Sequence, residues 1–234
     1  MIKFIKITLK GLAVFILSIA LIYLFFSIKW RLEASRDYAM FGTEAPKLKI
    51  NNKVYRDLNK NGKLDTYENP EAQIEDRVGD LISQMNPYEK AGAIFINMIG
   101  VNADGTPMEF PSFSDPFSFL METSSGQIAK KKMNHFNIRA SHPKEKMIEW
   151  QNAIQKMGER SRLGIPITIA SDPRHGVPTQ LGASINTPYF SSWPSSLGMG
   201  AISDSLLVQD FGAIVREEYK ALGIRVALGP MADT

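Results

Sequence analysis

Three kinds of hydrophobic spacing follow one another along this chain, and each predicts a different element. The first is unbroken: Gly11 to Ile28 is a run of eighteen residues without a charge, set between Lys3, Lys6 and Lys10 on one side and Lys29-Trp30-Arg31 on the other. As a helix it would rise about 27 Å, close to the ~30 Å hydrocarbon core of a bilayer. The second is helical. Ile74, Val78, Leu81, Ile82 and Met85 share one face, as do Met147, Trp150, Ile154 and Met157 within 144–163. Leu207, Phe211, Ile214, Val215 and Leu222 do the same between a Ser203 or Asp204 cap and a Gly223 stop. Asn69-Pro70 and Asn86-Pro87 each offer an N-cap followed by proline at the first helical position, the second for a short helix ending near Gly92. The third kind is short, apolar and β-branched: 165–171 and 224–228, with 93–99 as a candidate first strand. Such runs, bounded by glycine and proline, read as buried strands of a parallel sheet.

The last seventy residues therefore read strand, loop, helix, strand, a βαβ unit with right-handed crossover expected. The first of these strands runs straight into Asp172-Pro173-Arg174-His175-Gly176, and the second into Gly229-Pro230 and then Asp233. In an α/β barrel both acids fall on one rim, at the C-terminal face where reactive groups are presented. In an open doubly wound sheet they flank a crevice instead. Asp172 is the centre of the candidate site.

The remaining stretches have weaker patterns. Residues 29–53 read as a tether. Gly100 to Ser125 is rich in Gly, Pro, Ser and Phe, too long for an ordinary connector, and is expected to be a lid near the site or a disordered excursion. His135 and His142 lack ligand spacing and are read as structural or exposed. The organisation is thus a basic N-terminus (1–10), a transmembrane signal anchor (11–28), the tether (29–53), a metal-loop-like segment (54–69) and an α/β domain (70–234). A cleaved signal peptide would have an apolar core of only about 7–15 residues and a small-residue cleavage site. An anchor with the domain exported is favoured over secretion after cleavage.

The metal-loop-like segment is Asp57-Leu58-Asn59-Lys60-Asn61-Gly62-Lys63-Leu64-Asp65-Thr66-Tyr67-Glu68, which fits D-x-[DN]-x-[DN]-G-x5-E. The spacing would give oxygens from Asp57, Asn59 and Asn61, the Lys63 carbonyl, Asp65 through water and a bidentate Glu68 around a structural Ca2+. A polar Asn/Gly turn is the plain alternative.

Composition narrows the function classes. The chain has 234 residues, 44% hydrophobic and 22% charged, enough for one large domain or two small ones. A net charge of +3 with one basic cluster, Lys130-Lys131-Lys132, argues against a nucleic-acid partner. The absence of cysteine excludes disulfides, thiolate metal sites and cysteine nucleophiles. No G-x-G-x-x-G, Walker A or G-x-S-x-G motif occurs, so nucleotide binding and α/β-hydrolase chemistry have no support.

Several of these motifs, in this order, resemble the family 3 glycoside hydrolases, closest to their two-domain β-glucosidases and glucan exohydrolases. They are the 57–68 segment leading into Asn69-Pro70, Arg77-Val78 with Leu81-Ile82, residues 86–92, Ile165 to Gly176, Trp193-Pro194 to Asp204, and residues 228–233. The resemblance covers roughly 55–234 and implies the N-terminal part of a (β/α)8 barrel acting on a β-linked glucoside or gluco-oligosaccharide, exo-acting and retaining. It assigns Asp172 to the sugar hydroxyls of the −1 subsite, with Arg174 and His175 shaping the substrate site and Asp233 lining it. No cofactor is implied for the chemistry. Retaining hydrolysis needs a nucleophile and an acid/base, which the resemblance places beyond Thr234. The chain is therefore expected to be an N-terminal piece, from a truncated reading frame, a fragment or a degenerate gene, and inactive alone. The alternative is a membrane-anchored, calcium-stabilised module that binds carbohydrate or protein without catalysis.

Overall fold

The structure is a computed structural model and describes residues 2–112, 115–139, 141–177 and 189–229, with the side chains of 2–9 left aside. Helix α1, Ile2–Tyr38, contains the apolar run but continues ten residues past it. Lys29, Arg31, Leu32, Glu33, Ala34 and Arg36 are good helix formers, and Lys29 and Glu33 pair at i,i+4, 4.0 Å apart, so the helix propagates where a tether was expected. By length and composition α1 can cross a membrane.

The rest of the expected tether is also structured. Strands β1 (Lys47–Ile50) and β2 (Lys53–Arg56) pair antiparallel. They turn on Asn51 and Asn52, which take φ 48 and 61. Two left-handed residues in a two-residue loop match the twist of a hairpin, and asparagine tolerates them.

Helix α2 spans Ile74–Gln84 behind an uncapped Gln73. The expected start at Asn69-Pro70 is instead a turn, in which the Asn69 side chain accepts from the Glu71 N–H at 3.0 Å. The apolar stripe of α2 exists, yet none of its residues is buried. Helix α3, Pro87–Ala93, starts as expected: Asn86 accepts from the Glu89 N–H at 3.0 Å and Glu89 returns the bond to the Asn86 N–H at 3.0 Å.

The centre is a parallel sheet in the order β3-β4-β5-β6, built from Ile96–Ile99, His135–Ile138, Thr168–Ser171 and Ile224–Ala227. Three of these fall within the apolar runs read from sequence, while β4 was not foreseen. Helix α4 (Lys144–Glu159) lies between β4 and β5, and helices α5 (Ser196–Ile202) and α6 (Ser205–Ala221) between β5 and β6. Asp204 caps α6, accepting from the Leu206 and Leu207 N–H groups at 2.9 and 3.2 Å.

The core lies where α4 meets the sheet. Met147, Trp150, Ile154 and Met157 are all buried there with Phe136, Ile138 and Ile169. From α6 it is Tyr219 that buries fully, with Val215 and Leu222 packed at the margin. The sheet is open: among the described residues β3 and β6 each pair on one side only, and no closed barrel forms.

Candidate functional site

Strand β5 ends at Ser171, and the chain then turns along the C-terminal edge of the sheet. Ser171 is fully buried, and its hydroxyl donates to the Asp172 carbonyl at 2.8 Å. Tyr219 of α6 donates its hydroxyl to the same carbonyl at 2.8 Å. The backbone of Asp172 is therefore fixed from two sides, which leaves its side chain at the strand end, half-buried. There the Asn137 side-chain amide, from β4, donates to Asp172 Oδ2 at 2.7 Å. One carboxylate lone pair is used for orientation, and the others are free to accept hydroxyl donors.

Arg174 and His175 stand behind this rim. Arg174 is 2% exposed; it donates from Nε to Ser171 Oγ at 2.9 Å and from Nη2 to the Ile138 carbonyl at 2.7 Å. It thus staples the end of β4 to the end of β5, and burial pushes its guanidinium below the usual arginine range. His175 is buried among Phe190, Phe211 and Tyr219, with ring centroids 5.2, 6.2 and 5.5 Å away. Its Nε2 lies 2.8 Å from Glu218 Oε2, which also accepts from the Ser191 N–H at 3.2 Å. Burial opposes the Glu218 charge, but these two bonds win and hold the carboxyl below its ordinary value. The same desolvation raises Tyr219. Both motif side chains therefore have protein partners for their polar ends.

Gly176 closes the motif at φ +69, and a Cβ there would meet the Pro194 carbonyl at 2.3 Å. That close approach is why the 172–176 and 193–200 segments need glycine where they touch. A cavity of about 660 Å³ opens beside the rim, lined by Ser171, Pro173 and His175 and, across from them, Phe211, Val215 and Leu228. Asp233 lies outside the described residues.

Sequence reasoning missed Asn137, Glu218 and Tyr219. The last two sit on the α6 face that points at the rim. Asn137 was hidden because the His135–Ile138 strand was itself unread. The long 100–125 stretch does return to this edge. Asp115 pairs with Arg139, the residue after β4, and the Arg139 guanidinium lies 5.1 Å over Phe117. His135 and His142, read as structural or exposed, are both half-buried, and His142 Nε2 sits 3.1 Å from the Val101 carbonyl.

The 57–68 segment is closed by its own donors. Asp57 accepts from the Asn61 and Gly62 N–H groups at 3.0 and 2.8 Å. Glu68 Oε1 accepts from Leu58 and Asn59 at 2.6 and 3.1 Å, and Oε2 from Asp65 at 3.0 Å. Asp65 Oδ2 accepts from the amides of Asn59 and, at 2.7 Å, Asn61. Lys63 donates its N–H to Asn61 Oδ1 at 2.8 Å. Calcium takes 6–8 oxygens turned toward it; in this structure these oxygens accept from N–H groups of the loop itself.

Comparison with known proteins adds what geometry alone does not. Residues 118–234 match the family described as glycosyl hydrolase family 3 N terminal domain. The periplasmic beta-glucosidase/beta-xylosidase of Dickeya chrysanthemi is 37% identical over 195 residues, covering 81% of this chain and 28% of that protein. Beta-glucosidase C of Emericella nidulans is 40% identical over 171 residues, 73% of this chain and 26% of its own length. A probable beta-glucosidase C of Aspergillus oryzae is 34% identical over 175 residues, 74% and 26% respectively. The chain thus spans about a quarter of the length of these relatives.

Proposed function

The chain belongs to glycosyl hydrolase family 3, and from that membership we propose that it forms the front of a retaining exo-β-glycosidase acting on β-glucosides or short gluco-oligosaccharides. The four-stranded sheet is read as the first half of a (β/α)8 barrel, with 70–234 as its N-terminal part. The observation that carries the reading is the Asp172 carboxylate, held on a strand end by Asn137 with acceptor capacity left over. A carboxylate accepts from two sugar hydroxyls with charge-assisted strength, and a rigid strand end keeps the ring in place for attack.

Asp172 is the substrate-binding group. Arg174 and His175 act through it, the first by pinning strand ends and the second by anchoring the 190s segment through Glu218. Asp233 is proposed to line the same rim. Retaining hydrolysis needs two carboxyl groups about 5–5.5 Å apart; we place the nucleophile and acid/base in other parts of the enzyme, in keeping with the fraction of the relatives that this chain spans. The apolar helix fits a signal or an anchor, and the word periplasmic in the name of the Dickeya relative favours export. We read α1 as the anchor, with the domain outside.

The test is hydrolysis of an aryl β-glucoside by the longest polypeptide that the gene encodes. Asp172→Ala should lower kcat/KM by about 100-fold or more, since hydroxyl contacts of this kind strengthen toward the transition state. A variant within about twofold of the parent removes Asp172 from the site.

A further inference from the structure

Helix α1 does not stand clear of the domain. At its C-terminal end Tyr38 receives a hydrogen bond from Arg160 Nη1 at 3.0 Å, and the Arg160 guanidinium lies 5.1 Å over the Tyr38 ring. Arg160 follows α4, whose C-terminal end lies toward the side of the sheet where the parallel strands begin. Eight residues earlier, about 12 Å back along the helix, Trp30 meets Phe110 and Phe119 with centroids 6.0 and 5.5 Å away. Arg31 lies 5.5 Å over Phe110. Those phenylalanines belong to the stretch that Asp115 and Phe117 tie to Arg139, where β4 ends. Read from Tyr38 toward its N-terminus, α1 climbs from the strand-start side to the strand-end side. Its apolar run continues from Trp30 in that direction, toward the side of the sheet on which Asp172 sits.

The domain also reaches into that run. Ser27, inside the uncharged stretch, is only 8% exposed, while its neighbours Phe26 and Ile28 are open. Next to Phe119, Leu120 is 84% exposed, and Phe117 is open as well. Trp30 with Lys29 and Arg31 at the end of the apolar run is the aromatic and cationic set that favours the headgroup layer.

We propose that Trp30, Phe117, Phe119 and Leu120 form a bilayer-contact surface, so that the domain rests on lipid by its strand-end side and the Asp172 rim faces the membrane. This rests on the reading of α1 as an anchor. The ligand is the headgroup and upper acyl layer of a phospholipid bilayer. Lipid is favoured over a protein partner because the surface is continuous with the apolar helix and shares its aromatic girdle.

Because the chain has no cysteine, single labels can be placed without background. Leu120→Cys, Val54→Cys and Phe15→Cys, each carrying an environment-sensitive fluorophore, are reconstituted as full chains in vesicles of phosphatidylcholine with a minority of phosphatidylglycerol. Val54 is the control, since it is exposed on the β1–β2 hairpin, beside the end of α4 where Arg56 pairs with Glu159. Quenching by lipids brominated high on the acyl chain should be about threefold stronger at 120 than at 54, with 15 quenched by deeply brominated lipids. Quenching at 15 with 120 no different from 54 overturns the surface and leaves the anchor standing. No quenching at 15 overturns both. Circular dichroism on each labelled chain verifies folding, and Phe117→Ser with Leu120→Ser should weaken quenching of a label at residue 110 while leaving residue 15 unchanged.

Discussion

Glu89 shows how one side chain joins distant parts of the domain. It completes the capping box of α3 and also accepts from Arg162 Nε at 2.9 Å, tying the start of α3 to the approach to β5. Burial alone would raise its carboxyl, but the Arg162 bonds and the Asn86 N–H outweigh this and hold it below the ordinary value. A carboxyl depressed in the folded state gives stability that is full above the unfolded value of about 4.3 and fades as pH falls through the lower folded one. Thermal unfolding should therefore show a loss of stability below about pH 4.3 that Glu89→Gln makes shallower. Because the Arg162 side chain is half exposed, 0.5 M salt should flatten the same slope. An unchanged slope in Glu89→Gln would assign the acid sensitivity to other carboxyls. Asp172 and its Asp-x-x-His-Gly setting were legible in sequence because a β-branched run stops at a charge. Asn137, which orients that carboxylate, was not, because no local pattern marks one asparagine in a four-residue strand.

Among elements, the 57–68 loop has a role that its motif does not announce. Lys60, in the left-handed region at φ 62, donates Nζ to the Glu159 and Ser161 carbonyls at 2.6 and 2.7 Å. Tyr67 donates its hydroxyl to the Leu163 carbonyl at 3.1 Å. A cation at the end of α4 meets the carbonyls a helix leaves unpaired and the negative end of its dipole. The loop is thus a clamp on the turn that feeds β5, and so on the level at which Asp172 emerges. Millimolar Ca2+ or a chelator should leave the melting temperature unchanged, whereas Lys60→Met should cost about 1–2 kcal/mol in denaturant unfolding. A clear calcium-dependent rise would mean that the loop rearranges its oxygens around the ion. The β-branched runs and capped helices were readable because burial enforces their periodicity. Two elements escaped for opposite reasons. The 47–56 hairpin alternates, but its lysines and lack of burial resemble a linker. Strand β4 is buried yet too short to show a period.

For the whole molecule, the open sheet decides how the chain behaves in solution. Strand β6 borders the 660 Å³ cavity and among the described residues carries no neighbour beyond it, and strand β3 leaves Ile96 and Met98 about half exposed. The stripe of α2 adds Ile74, Val78 and Ile82, all open to solvent. Unpaired strand edges flanked by apolar side chains recruit other strands unless charge or cover prevents it. In the barrel proposed above, both edges would be paired by later strands, and the cavity beside α6 would be filled by the next helical layer. With α1 shielded in detergent micelles, residues 1–234 alone should therefore self-associate in sedimentation velocity, with an average mass that rises with concentration. Ile96→Lys places a charge on an edge position that is already exposed, so it should cost no more than about 0.5 kcal/mol while shifting the population toward monomer. Association that persists with a charge at 96 would locate the contact at β6 and the cavity, where Leu228→Lys makes the same measurement on the other edge. If both variants associate like the parent, the sheet edges are not the contact, and the exposed stripe of α2 becomes the surface to charge next.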